Sequence, residues 1–252
     1  MRLIKLDTIE DCLDLFDIFL EHLWNVIKFH HEDRVNSYAD RDAMMLNQMM
    51  FSKLMHLKKI VKGVEYSSKD GYYLNKIVDP TIVASMIRNI YETVSLFNLI
   101  YRDAKSDDEK RIIYSLWEIS GLNYRQRFHA AATSSENLKK MEDEKKVIDR
   151  IEAEIKDTNL YKTLDNKNQE KIDDKIKKRD YKVRFEGKKV VYLSWQDMSN
   201  IMGLNPSLFD NIYTYFSLYA HPSQVAVFQF ESMFSKKNEE FKQLTTLNLK
   251  YC

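Results

Sequence analysis

An all-α, multi-helix bundle with a small β-hairpin and a charged helical insertion is the fold this sequence predicts. Three observations predict it. The 252 residues include only 5 Gly and 3 Pro, too few for a loop-rich or all-β chain. Apolar residues recur at helical spacing over long stretches that open on capping residues. The stretch Tyr181 to Ser194 alternates apolar and polar residues on both sides of a Glu-Gly turn, as a β-hairpin does.

Thr8 caps a first helix, with Asp11 at the acidic position of a capping box. Cys12, Phe16, Phe19, Leu20, Leu23 and Ile27 form its stripe. His22 and His30 lie eight residues apart, roughly 12 Å along the axis, too far to share one metal. Asp40 is the expected cap of a second helix, with Ala43, Leu46, Met50, Leu54, Leu57 and Val61 inward and Gly63 as its stop. Core filling is the default reading of its methionines, Met44, Met45, Met49, Met50 and Met55. Residues 63–79 read as a connection with a turn at Lys69-Asp-Gly71.

Asp79-Pro80 starts the best-patterned helix, to about Asp103. Val83, Met86, Ile87, Ile90, Val94, Phe97 and Tyr101 make its apolar face, and Arg88 and Glu92 stand one turn apart on another. Ser106-Asp-Asp-Glu109 is a capping box that opens a long helix, interrupted by Gly121. From Ser135 to Asp180 there are 13 acidic and 13 basic residues, with a thin stripe of Met141, Ile148, Ile151 and Ile155. This is the expected solvated helix, with a projecting arm as one form it could take, followed by a shorter helix around Gln169–Lys178 and then the hairpin. Ser194 caps a short helix that Gly203 ends, and Asn205-Pro206 opens the next. Ser223 caps a last helix with Val227, Phe230, Phe234 and Phe241 on one face, although Val225 to Phe230 would equally serve as a strand. The tail from Thr245 is expected to fray. The expected domains are a bundle of residues 1–134 and 194–245 and an insertion of 135–193.

Lys+Arg number 39 against 38 Asp+Glu, which provides no global basic field for nucleic acid. The two cysteines, Cys12 and Cys252, stand near opposite ends with no zinc-finger spacing, so no structural metal and no cofactor is expected. No signal-peptide core and no bilayer-length apolar run is present, so the expected setting is soluble and cytoplasmic, away from membranes.

The polar residues that stand out lie in Tyr213 to Ser223. Asp210, Thr214, Ser217 and His221 follow steps of four, three and four, which places them on one stripe. Pro222 ends the helix at His221. A helix-turn-helix could be drawn through Ser199, Gly203, Leu204, Phe209 and Ile212, but its second helix offers no Lys or Arg to phosphates, which weighs against a DNA binder.

Two tracts carry a resemblance: Ser85-Met-Ile-Arg-Asn-Ile-Tyr-Glu-Thr-Val94, and Trp195-Gln-Asp-Met-Ser-Asn-Ile-Met-Gly-Leu204 leading into Tyr215-Phe-Ser-Leu-Tyr-Ala-His-Pro-Ser223. The chain resembles an uncharacterised family of mostly bacterial helical proteins known as a domain of unknown function. Its pattern is an Arg-x-x-x-Glu helix and a Ser-x-x-x-His-Pro-Ser end, matched here by Arg88, Glu92, Ser217, His221, Pro222 and Ser223. The family's tyrosine, three before the serine, falls on Thr214 between Tyr213 and Tyr215, so no tyrosine is carried over. The chain is also similar, in a general way, to HEPN-type bundles, several of which are RNases that use an arginine and a histidine separated by four to six residues. Here Arg125 and His129 are separated by three, and His221 has no nearby upstream arginine.

Two functions follow. One is a non-catalytic binding or regulatory protein whose Arg88, Glu92, Ser217 and His221 are structural. The other is an enzyme acting on RNA or a nucleotide. In it His221 is the general acid/base, Arg88 clamps phosphate, Glu92 orients Arg88, and Ser217 positions His221 or the substrate. A homodimer is the expected assembly, by analogy with bundles that carry projecting helices.

Overall fold

The computed structural model describes residues 6–202, 212–232, 239–250 and 252. The described chain is an all-α assembly with two small antiparallel hairpins. It divides into two compact units, Met1–Ser95 with Met202–Cys252, and Leu96–Ile201.

In the first unit, α1 (Ile9–His30) opens on the expected capping box: the Asp11 N–H donates to Thr8 Oγ1 at 3.1 Å and the Thr8 N–H to Asp11 Oδ2 at 2.9 Å. α2 (Tyr38–Ile60) is capped by Ser37 and not by Asp40, because the Ser37 hydroxyl accepts the Asp40 N–H and Asp40 is already inside the first turn. Gly63 adopts φ +83 three residues past the last helical one, where a side chain would crowd the Ile77 carbonyl. Beyond it the expected connection is a hairpin, β1 (Val64–Ser67) paired with β2 (Tyr73–Ile77). Every β1 residue is exposed, so the short Val-Glu-Tyr-Ser alternation corresponds to no buried face.

α3 (Pro80–Phe97) starts where Asp79 Oδ1 accepts the Thr81 N–H at 2.8 Å. α9 (Ile212–Ala220), α10 (Gln224–Ser232) and α11 (Glu239–Lys250) complete the unit. Its core joins Cys12 and Phe16 of α1, Leu57 of α2, Val83, Ile87 and Tyr91 of α3, Phe216 of α9 and Leu249 of α11. Phe216 is fully buried and meets Tyr91 edge-on, with centroids 5.6 Å apart.

Three expectations change here. Thr245, Thr246 and Asn248 are buried on a helix that packs against α1, so the tail does not fray at Thr245. Met45, Met49 and Met55 are exposed, outside the core. Val227 is also exposed, and Ala226 takes the inward place on α10. Gly203, Leu204, Asn205, Pro206, Phe209, Asp210 and Phe234 lie outside the described residues, as does the turn of the helix-turn-helix reading.

In the second unit α4 (Asp107–Gln126) is capped by Ser106 and buries Ile112, Ile113, Leu116 and Ile119. Gly121 does not interrupt it, and nothing lies within 4 Å of where its side chain would be. α5 (Ser135–Asp157) does not project as an arm. Its thin stripe of Met141, Ile148, Ile151 and Ile155 is buried and the helix packs along α4. α6 (Asn159–Thr163), α7 (Asn166–Lys178), the hairpin β3 (Val183–Glu186) and β4 (Lys189–Tyr192), and α8 (Trp195–Asn200) follow. The unit boundaries thus lie outside the charge-marked segment 135–193. Charge marks where a chain is solvated, whereas packing decides what it is joined to.

Candidate functional site

Two helices of the first unit supply the polar cluster. α3 carries Arg88 and Glu92 at i,i+4. α9 carries Tyr213 and Ser217 at the same spacing, and His221 follows its last residue by one. The His-Pro-Ser sequence makes the turn. The His221 N–H donates to the Ser217 carbonyl at 3.3 Å as the last helical bond. Pro222 has no N–H to continue it. Ser223 then donates its hydroxyl to the Leu218 carbonyl at 2.7 Å and accepts the Ala226 N–H at 3.1 Å, which caps α10.

Arg88 is the hub. Its Nε–H is shared between Glu92 Oε1 at 3.0 Å and Tyr213 Oη at 2.9 Å. The Tyr213 hydroxyl in turn donates to Glu92 Oε1 at 2.8 Å, and the guanidinium lies over the Tyr213 ring, 4.9 Å from its centre. Nη1 stands 3.0 Å from His221 Nε2. A guanidinium only donates, so Nε2 accepts, and the ring is the neutral tautomer with its proton on Nδ1. Among the described residues Nη2 has no hydrogen-bond partner. Burial first, then the Glu92 carboxylate, pushes the Tyr213 phenol up to about 12 against the opposing Arg88 charge, so it stays a donor.

The four residues expected at the site divide. Arg88, Glu92 and His221 meet directly. Ser217 is on the same helix face, but its hydroxyl donates to the Tyr213 carbonyl at 2.8 Å. Thr214, placed on the stripe in the sequence, is exposed. Tyr213 is the residue that sequence reasoning missed. It stands four before Ser217 and eight before His221, so an unbroken step of four would have found it. Lys53 of α2 is a second. Its ammonium bonds Thr93 Oγ1, and burial pushes its pKa down against the pull of Glu92. Arg125 and His129, the other spaced pair, go separate ways: Arg125 bonds Glu144 of α5 and His129 opens a short helical turn.

A cavity of about 340 Å³ opens beside the imidazole, lined by Thr81, Tyr219, His221, Pro222, Ala226 and Phe230 among others. His221 itself is exposed. Among the described residues no group of three His, Cys, Asp or Glu is placed to hold a metal, and no helix is long and apolar enough to cross a membrane. The arrangement offers a positioned cation with donors to spare, a neutral base in contact with it, and room beside that base. Those are the requirements for binding an oxyanion and moving a proton next to it.

A family model described as a family of unknown function (DUF5677) matches residues 59–241, a span that includes every residue of the cluster. No curated protein and no solved structure matches the chain.

Proposed function

We propose, for a chain that belongs to the DUF5677 family of unknown function, that the Arg88 cluster binds a phosphate group of RNA or a nucleotide and that His221 moves a proton there. The observation that carries this is the 3.0 Å contact of Arg88 Nη1 with His221 Nε2, made while the other side of the guanidinium is held by Glu92 and Tyr213. Glu92 and Tyr213 hold Arg88 in one orientation. Its outer nitrogens suit the paired oxygens of a phosphate. As Nη1 exchanges Nε2 for a phosphate oxygen, the neutral imidazole is freed to take a proton at Nε2 from an attacking hydroxyl or water as the new P–O bond forms. The resulting imidazolium returns that proton to the departing oxygen as the old P–O bond breaks. Arg88 would hold the non-bridging oxygens, where charge builds up. Glu92 and Tyr213 are positioning residues for Arg88. Ser217 supports the helix that presents His221.

The HEPN-like resemblance agrees with this chemistry, with the arginine coming from a different helix. A bacterial cytoplasm is the proposed setting; the two free thiols, Cys12 and Cys252, suit a reducing compartment. Turnover of single-stranded RNA and of nucleoside phosphates, by wild type and by His221→Ala, tests the proposal. Loss of turnover in the variant is the expected result, and equal, negligible turnover rules catalysis out.

The engagement of Ser217 and of Arg88 Nε inside the protein favours a second reading, a binding or regulatory module whose cluster ties α3 to α9. In that case Arg88→Ala weakens phosphate binding although no substrate is turned over.

A further inference from the structure

On the other side of α3 from Arg88 and Glu92 lies a cavity of about 240 Å³, within the same unit. Ile90 and Val94 face it, two residues on from Arg88 and Glu92 and so on the reverse face of the helix. Phe16, Leu54 and Leu249 add walls from α1, α2 and α11. Both thiols belong to the lining. Burial pushes the Cys12 thiol up and that of Cys252 to about 12, so they present neutral S–H groups at neutral pH. The charged or titratable remainder is His22 and Lys250, both exposed; Lys250 stands by the start of α1, and His22 lies about three turns further along that helix. Lys250 is not a bare cation there, since Asp7 stands 3.8 Å from its ammonium.

Protein interiors are close-packed, and an apolar void gives up the dispersion contacts its walls would otherwise make. An engineered apolar cavity of about 150 Å³ takes up benzene, so by proportion this one has room for roughly nine or ten carbon atoms. The walls are apolar along their length, and an exposed cation, Lys250, stands at the end beside the start of α1. This is the pattern of a site for a chain with a single oxygenated terminus, and it differs from that of a polar metabolite site, where polar groups converge on the ligand. We propose that the cavity binds an unbranched medium-chain alkyl ligand, an acid or alcohol of roughly eight to ten carbons, with its chain between α1, α2, α3 and α11 and its oxygen end beside Lys250. The site depends on none of the chemistry proposed for Arg88 and His221.

Calorimetric titration of the full chain with hexanoate, octanoate, decanoate and dodecanoate, each below its micellar concentration, tests this, with 1-octanol in parallel. Affinity should rise about fourfold per methylene, as burial of each one predicts, and level off once the cavity is full near ten carbons. Methyl NMR of the wild type should place the perturbed resonances at Leu54, Ile90 and Val94. Leu54→Phe, which fills part of the space, should weaken octanoate binding by about tenfold or more. An octanoate preference removed by Lys250→Ala identifies the acid, and equal affinities for the two eight-carbon probes identify the alcohol. The proposal is overturned if binding does not saturate, if affinity climbs through dodecanoate without levelling, or if the methyl shifts fall elsewhere. The NMR result decides the matter even if Leu54→Phe does not fold.

Discussion

Each unit contains one tyrosine with a cation against its face and a carboxylate on its hydroxyl, and the two sites end in opposite conditions. In the first, Arg88 lies over Tyr213 and the Tyr213 hydroxyl donates to Glu92. In the second, Lys175 lies 4.4 Å from the centre of Tyr192 and the Tyr192 hydroxyl donates to Asp174 at 2.9 Å. Burial first, then the accepting carboxylate, pushes both phenols up to about 12. The cations differ. The Lys175 side chain is 7% exposed and its ammonium meets Asp180 at 2.5 Å, while Lys182 meets the other oxygen of the same carboxylate at 2.6 Å. That cluster is closed on itself. Arg88 is 23% exposed, keeps one nitrogen without a partner among the described residues, and faces an exposed histidine. The same parts serve stability when the cation is a point charge neutralised inside. They remain available to a ligand when the cation is a fork with donors left over.

The largest effect is expected in the closed cluster. Asp180→Asn leaves Lys175 buried without its counter-charge. Removing one partner of a buried pair costs about 3–5 kcal/mol, and the solvent access of Asp180 puts this one at about 3 kcal/mol in urea unfolding. Burial alone would raise the Asp180 carboxyl, but the bonds from Lys175 and Lys182 outweigh it and hold it below 3.8. A folded value below the unfolded one gives stability that is present above about pH 4 and lost as pH falls through the folded value. Asp180→Asn should therefore flatten the acid limb of the stability curve, and an unaltered limb would show that the cluster is not the closed unit described. Arg88→Ala should cost less, about 1–2 kcal/mol, because Glu92 is 27% exposed and can turn to water. Its larger consequence is loss of phosphate binding, which Arg88→Lys should not restore.

Next comes the tyrosine shared by both designs. Tyr213→Phe removes a hydrogen bond to a carboxylate and should cost about 1 kcal/mol. The folded value of about 12 lies above the unfolded 10.0, so this contribution is complete below pH 10 and lost as pH rises towards 12. Phenolate absorbance should lose one late-titrating tyrosine in Tyr213→Phe and one in Tyr192→Phe, each relative to the wild type. If either variant keeps the full late-titrating absorbance, that phenol is not held as described.

The sequence made α3 legible because Asp79-Pro80 starts it and six apolar residues, Val83 to Phe97, repeat along it. It made Arg88, Glu92 and His221 visible as unusual residues, but the contact among them belongs to packing, since α3 and α9 are over a hundred residues apart. Tyr213 was hidden for a geometric reason. Stepping back from Ser217, positions three and four earlier lie on nearly the same face, and only the location of α3 chooses between Thr214 and Tyr213. α5 was misread as an arm because balanced charge occupies its outer face in pairs such as Lys156–Glu152, 2.7 Å apart, while four apolar residues suffice to seat it on α4. The β1–β2 hairpin offered only the short Val64-Glu-Tyr-Ser alternation and the Lys69-Asp-Gly71 turn, and the buried end of α11 is lined by polar residues. One is exposed along all of β1, and the other buries threonines and an asparagine.

The smallest stability effect separates the two designs most sharply. His221 is exposed, follows the end of its helix, and its ring accepts a hydrogen bond from Arg88. Replacing a surface group of that kind usually changes stability by no more than about 0.5 kcal/mol. His221→Ala should therefore unfold in urea almost as the wild type does, yet lose turnover of the RNA or nucleotide substrate. A closed cluster cannot behave so: there, every group removed strands another in the interior. A His221→Ala protein that loses several kcal/mol would mean that the imidazole holds the turn between α9 and α10 together. Arg88 and Lys175 would then differ only in exposure, and the open site would have to be read as a second structural cluster.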